Sequence, residues 1–238
     1  MGKIKVGCCG FPRGMKHYFS QFRLVEVQQT FYRLPRVETA VKWRQAAPGD
    51  FEFAIKAWQL ITHPPSSPTY RKARLQIPQG KEGNYGYFKP SPEVMEAWYQ
   101  TEEIARAVRA VIIVFQCPAS FVDSAGNIEN MRKFFQSLPR DEFLFAWEPR
   151  GQWRDEVITS LCQELRLIHC VDPLQRAPVY GMTNYFRLHG GPGYRHRYSD
   201  EELDRLRKMI DNKESYVLFN NITMYDDALR FIHLLHGE

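Results

Sequence analysis

Eight short apolar runs recur along the chain with helix-like segments between them, the alternation that βα units and a parallel sheet require. The runs are Ile4–Cys9, Leu24–Gln28, Phe51–Lys56, Ala110–Gln116, Phe143–Glu148, Leu167–Asp172, Tyr185–His189 and Ser215–Asn220. Eight parallel strands with intervening helices specify an α/β fold of the TIM-type (β/α) barrel class. Helical spacing falls at Val37–Ala47, Ser91–Arg109, Asn127–Leu138, Asp155–Leu165, Ser199–Asp211 and Tyr225–Leu235, with Ser199 and Glu202 forming a capping box. Met15–Phe22 and Pro173–Gly181 are too short to assign, and a missing helix at either would make the barrel irregular. Thr62–Pro90 carries five prolines and no clear period, so it reads as a long loop after strand three that covers the barrel mouth.

A length of 238 residues with 44% hydrophobic content suits one large core, hence one barrel domain over 1–238. No run of about 18 apolar residues exists, and Met1–Lys5 enters an alternating pattern instead of a signal-peptide block, so no membrane partner is expected. An odd number of cysteines, five, argues for free thiols in a reducing compartment and a cytoplasmic location. Cys8 and Cys9 are adjacent, unlike the Cys-x-x-Cys pairs of zinc ribbons. A net charge of +5 favours anionic ligands but is mild for a dedicated nucleic-acid binder.

Strand alternation decides which side chains face the barrel axis. It points Glu26, Gln28, Lys56, Gln116, Glu148, Asp172, Arg187, His189 and Asn220 inward, all near C-terminal strand ends, where barrel enzymes build their sites. Polar residues at strand ends are commonly loop-edge groups or caps, yet a whole set gathered at one end has to be paired with itself or with a ligand. Lys56, Arg187 and Arg150 suit a phosphate or carboxylate. Glu26, Glu148 and Asp172 are candidate acids and bases, with His189 as proton shuttle. Glu26, Glu148, Asp172 and His189 are also metal-ligand types, but no His-x-His or His-Glu-x-x-His spacing occurs and nearby cations oppose a divalent ion. No cofactor is therefore expected, with a divalent metal the less favoured alternative.

Several blocks match a known pattern. Gly7-Cys8-Cys9-Gly10-Phe11, Glu26 to Pro35, Phe53 to Ala57 with Ile61-Thr62-His63, Phe115 to Pro118, Glu148-Pro149-Arg150-Gly151-Gln152-Trp153, Arg187 to Gly190 and Phe219-Asn220-Asn221 resemble, in order, the signature blocks of the YecE-like family. That family is a domain of unknown function, number 72. The resemblance implies a TIM-type barrel and brings Tyr32, His63, Trp153 and Asn221 into the candidate substrate-binding set. Relatives usually carry Gly-Thr-Ser-Gly in the first block. Cys8 and Cys9 stand there here, as small buried residues or as a nucleophile if a neighbouring cation lowers a thiol pKa.

Tyr32, Trp58, Trp153, Tyr194 and Tyr198 flank the mouth and could stack a sugar or base, though some must be core packing. Gly190 to Tyr198, a Gly-rich loop with two arginines after strand seven, lies where barrels often hold phosphate. The leading expectation is an enzyme of hydrolase or lyase type acting by acid/base chemistry on a phosphate-bearing or otherwise anionic, nucleotide-like substrate. Glu148→Gln and Lys56→Ala are then expected to abolish turnover and leave the melting temperature nearly unchanged. The alternative is a nucleic-acid or nucleotide binding module without catalysis, betrayed by steep salt dependence. A structural ion-pair network is the third reading. The sequence leaves the oligomeric state open.

Overall fold

The protein's computed structural model describes residues 3–139, 142–191 and 194–237, and in it eight parallel strands close into a barrel in chain order. They are β1 Ile4–Cys9, β2 Leu24–Val27, β3 Glu52–Lys56, β4 Ala110–Gln116, β5 Leu144–Glu148, β6 Leu167–Val171, β7 Thr183–Leu188 and β8 Glu214–Phe219. β8 pairs back onto β1, with Val6 opposite Val217. Every strand read from the apolar runs is present, with bounds shifted by two residues at most.

The helices are α1 Met15–Gln21, α2 Gln29–Tyr32, α3 Val37–Ala46, α4 Gln59–Thr62, α5 Pro68–Ala73, α6 Pro92–Val108, α7 Ala125–Gln136, α8 Asp155–Glu164, α9 Asp200–Met209 and α10 Met224–His236. The short first crossover is a helix after all, because burial compensates for its length. Tyr18 sends its hydroxyl to Leu24 O at 2.7 Å and accepts the Cys8 N–H at 2.7 Å, tying α1 across β1 and β2. Gly7 permits that approach, since a Cβ there would meet Leu24 O at 2.2 Å. The connection from β6 to β7 forms no helix among the described residues, so the barrel is irregular on that side. The single-turn helices α2 and α4 were not readable from periodicity, because a four-residue element has too little length to show one.

The barrel interior is layered. At the N-terminal end the Lys5 ammonium bridges Glu52 at 2.7 Å and Glu214 at 2.8 Å. Above it Leu24, Ala54, Ile112, Val114, Ala146, Ile168, Tyr185, Tyr216 and Leu218 fill the axis, with Tyr185 and Tyr216 stacked at 6.0 Å. The lower end is thus plugged, and only the C-terminal end is left for polar chemistry. Opposite strand faces pack large aromatics against the helices, among them Trp98, Phe115, Phe134 and Phe145.

The long segment after β3 is not structureless. Ser67 caps α5, which begins with Pro68, and the stretch beyond it is fastened to α4 by Gly86 N to Leu60 O and Phe88 N to Ile61 O, both 2.9 Å. Gly86 has φ +77° and lies so close to His63 that a Cβ would meet its carbonyl carbon at 2.4 Å. Phe88 is fully buried among Phe115, Phe121, Phe134 and Phe135. Phe88→Ala is therefore expected to destabilise the protein by about 3–5 kcal/mol, read from chemical denaturation, whereas a free surface loop would lose almost nothing.

Candidate active site at the C-terminal barrel mouth

Arg187 near the end of β7 is the centre of the site, and it is completely buried. Its Nη2 lies 2.9 Å from Glu26 Oε1, and its Nη1 pairs with Glu148 Oε2 and donates to Gln116 Oε1 at 3.0 Å. Gln28 Oε1 accepts from Nη2 at 3.4 Å. Tyr185, two residues before Arg187 and so on the same face, donates to Glu26 Oε2 at 2.8 Å. One guanidinium thus binds together residues at or near the ends of β2, β4, β5 and β7. Parity aims Glu26, Gln28, Gln116, Glu148 and Arg187 inward, and the structure brings them together.

Glu148 divides its two oxygens between neighbours. Oε2 faces Arg187, while Oε1 takes Arg150 Nε and stands 3.1 Å from His189 Nε2. Burial pushes the Glu148 carboxyl up, but Arg187, His189 and Arg150 together hold it well below the usual carboxylate range. It stays ionised and so cannot act as a general acid near neutral pH. On its other side, His189 Nδ1 accepts from Asn220 Nδ2 at 3.1 Å, which places the ring proton on Nε2 toward Glu148. Arg150 Nη2 approaches the same Nε2. Donation to Glu148 and acceptance from Arg150 belong to different tautomers of the neutral ring, and the Asn220 contact selects the one in which Nε2 donates to Glu148. Burial, then Arg187 and Arg150, lower the His189 pKa against the pull of Glu148, and its ring is neutral near pH 7.

Lys56 ends β3 with its side chain buried. Its Nζ lies 3.8 Å from the centroid of Phe31, and no ion pair or hydrogen bond reaches it among the described residues. Burial and then Arg187 push its pKa down to about 7, against Glu26 and Glu148. His63 is buried against Phe31 at 4.9 Å, bonds Thr62 Oγ1 through Nδ1 at 2.8 Å, and is pushed down to about 3 by burial and Lys56.

Other expected site residues take different places. Asp172 spends its carboxylate on Leu174 N at 3.1 Å, Gln175 Nε2 at 3.1 Å and His189 N at 3.0 Å. It fixes the backbone of His189 and does not face the reacting centre as a free base. Trp153 is in the core, its Nε1 on Phe121 O at 2.7 Å and its ring 5.0 Å from Trp147. Tyr198 is likewise buried and receives Gly190 N at 2.6 Å. Asn221 is buried and donates to Asp227, Thr223 and the His196 carbonyl, locking the loop after β8. Tyr32 is half-buried at the edge, its hydroxyl accepting from Lys72 at 3.4 Å, and Tyr194 is exposed. In the Gly-rich loop after β7, Pro192 and Gly193 lie outside the described residues. Burial pushes the Cys8 thiol up to about 12 and Cys9 well above its ordinary value, so neither has thiolate character near neutral pH. Among the described residues no group of three or more His, Cys, Asp and Glu side chains is placed to share a metal ion.

The family described as protein of unknown function DUF72 matches residues 10–238. The chain belongs to that family. The UPF0759 protein YunF of Bacillus subtilis (strain 168) is 23% identical over 253 residues, 90% of this chain and 82% of that protein. A DUF72 family protein from Thermotoga maritima MSB8 is similar in structure, with TM-score 0.68, 23% identity and coverage of 98% of this chain and 99% of its own. D-allulose 3-epimerase from Methylomonas sp., in complex with D-allulose, shares the barrel at TM-score 0.58 and 10% identity, covering 100% of this chain and 98% of its own. At these identities the likenesses show the fold alone. No helix among the described residues is long and apolar enough to cross a membrane.

The state of Lys56 can be read from stability. Its native pKa of about 7 lies below the unfolded value of about 10.4, so the folded protein binds fewer protons between those limits and stability rises with pH through that window. At pH 7 the residue costs stability. Lys56→Met is expected to stabilise the protein there by a few kcal/mol, about 1.4 per pH unit of the window, and to flatten stability between pH 7 and 10 in urea unfolding. Equal stability of the two proteins across that range would mean that the ammonium is paired. Glu148 behaves oppositely. The expectation that Glu148→Gln leaves the melting temperature unchanged is corrected, because the change strips a partner from a fully buried guanidinium.

Proposed function

We propose that the protein is an enzyme that binds an anionic small molecule, one bearing a phosphate or carboxylate, at the C-terminal barrel mouth and acts on it by acid/base chemistry of hydrolase or lyase type. The observation that carries this reading is the line Glu148–His189–Asn220 across the ends of β5, β7 and β8, beside a recess of about 120 Å³. A carboxylate accepts from Nε2–H of a neutral imidazole on one side, and on the other Nδ1 carries the basic lone pair, which Asn220 Nδ2 covers until a substrate displaces it. His189 is the base, Glu148 its orienting carboxylate and Asp172 the group that holds its backbone. Arg187 and Arg150 are paired with Glu26 and Glu148, whereas Lys56 has no carboxylate partner and is the cation left for an anionic ligand. Lys56, with a pKa of about 7, supplies the cation and an exchangeable proton. Gln28, Gln116 and Asn220 orient, and Tyr32 and Tyr194 border the mouth.

The test is a panel of phosphorylated sugars and acids followed by ³¹P and ¹H NMR in D₂O. The wild type is expected to turn over members of one class, and His189→Ala to lose at least about 10²-fold in kcat/KM. The rate is expected to rise with pH as His189 loses its proton below 6.5, then to fall above about 7 as Lys56 loses its own. Undiminished turnover in His189→Ala would refute the assignment.

A further inference from the structure

The connection from β6 to β7 runs over the barrel wall without a helix, and beneath it lies the recess of about 120 Å³, bounded by Glu148, Arg150, His169, Asp172, Arg176 and His189. That is room enough for one tetrahedral oxyanion.

His169 is the unexplained residue there. By alternation it faces outward on β6, away from the axial set of Ile168 and Cys170. Its ring is buried, and Nδ1 accepts the Val179 N–H at 3.1 Å. The ring proton is therefore on Nε2, and that buried N–H has no hydrogen-bond partner. Burial and Arg176 lower the His169 pKa to about 4, so Nε2–H remains a neutral donor through the physiological range. His169 lines the recess, and an unpaired buried donor beside it is costly unless a ligand comes to accept from it.

The rim is cationic. Arg150 commits Nε to Glu148 and Nη2 to His189, and Arg176 commits Nη2 to Asp155. The remaining N–H groups of both arginines have no partner among the described residues. The two carboxylates on the same wall are already occupied, Glu148 by Arg187, Arg150 and His189 and Asp172 by two backbone N–H groups and Gln175.

We infer that this recess is the subsite for the phosphoryl group of a phosphorylated small-molecule substrate, with His169 Nε2–H as its buried donor and Arg150 and Arg176 as its rim. The inference rests on the acid/base reading above and narrows it. The phosphoryl group would sit against His189 and leave the rest of the molecule over the Lys56 side of the mouth. No bond is made or broken in the subsite, which only binds.

Inorganic phosphate titrated into the full chain tests this, followed by calorimetry and by the imidazole ¹⁵N signals of labelled histidines. Saturable binding that shifts the His169 signals is expected. The Kd should weaken at least tenfold in His169→Phe and in Arg176→Ala, and less in His169→Gln, which keeps an N–H donor. Should His169→Phe not fold, Arg176→Ala decides, because that side chain lies at the rim with 37% of its surface exposed. Equal phosphate affinity in wild type and Arg176→Ala, or no saturable binding to wild type, would overturn the subsite. The two readings fail separately. His169-dependent phosphate binding without turnover of any phosphorylated compound removes the acid/base reading and keeps the subsite, whereas turnover at unchanged KM in His169→Phe removes the subsite alone.

Discussion

A guanidinium with no exposed surface, held between two carboxylates at the top of a closed barrel, is the interaction around which this protein is organised. Charges out of water are tolerated only when they are paired and hydrogen-bonded. Arg187 engages both Nη groups with Glu26, Glu148, Gln116 and Gln28, leaving its buried Nε–H without a partner, and Tyr185 completes the shell of Glu26. With Arg187 and Tyr185 on β7 and the other partners at the ends of β2, β4 and β5, the barrel register and the charge network enforce each other. A slip of one residue in any of these strands would turn a charged side chain into the helix layer.

With both carboxylates fixed by Arg187, the titratable groups fall into distinct roles. Glu148 is held ionised, His189 is held neutral, and Lys56 is poised near neutrality beside Phe31 instead of a carboxylate. Groups of different type pushed to different protonation states in one small volume are what acid/base chemistry at constant pH requires. The same arrangement explains why stability is given up at Lys56, since a buried ammonium without a direct anion is useful chiefly to a ligand.

The irregularity of the barrel bears on the site as much as its regularity does. Six of the seven strand-to-strand connections carry helix, and the exception, between β6 and β7, leaves the recess beside Glu148 and His189. Its loop still does structural work. Asp172 at its start holds the backbone of His189, and Val179 pins the ring of His169. On the opposite side, the insertion after β3 is anchored by Phe88 and carries His63 and α5 toward the mouth.

Period-two alternation within short apolar runs determined the eight strands and the inward set Glu26, Lys56, Gln116, Glu148, Arg187, His189 and Asn220, because a strand's facing is a local property. Motif blocks along the chain indicated the family. What alternation does not encode is distance. Trp153 and Asn221 lie in matched blocks but are drawn into core packing and loop locking, and Asp172 is inward by parity yet consumed by backbone N–H groups. His169 was passed over because outward parity reads as packing, and only the missing helix above it turns that face into a cavity wall. The charge states of Glu148 and Lys56 belong to the tertiary structure alone. They arise from desolvation and from neighbours brought across the barrel, and neither exists until the sheet has closed.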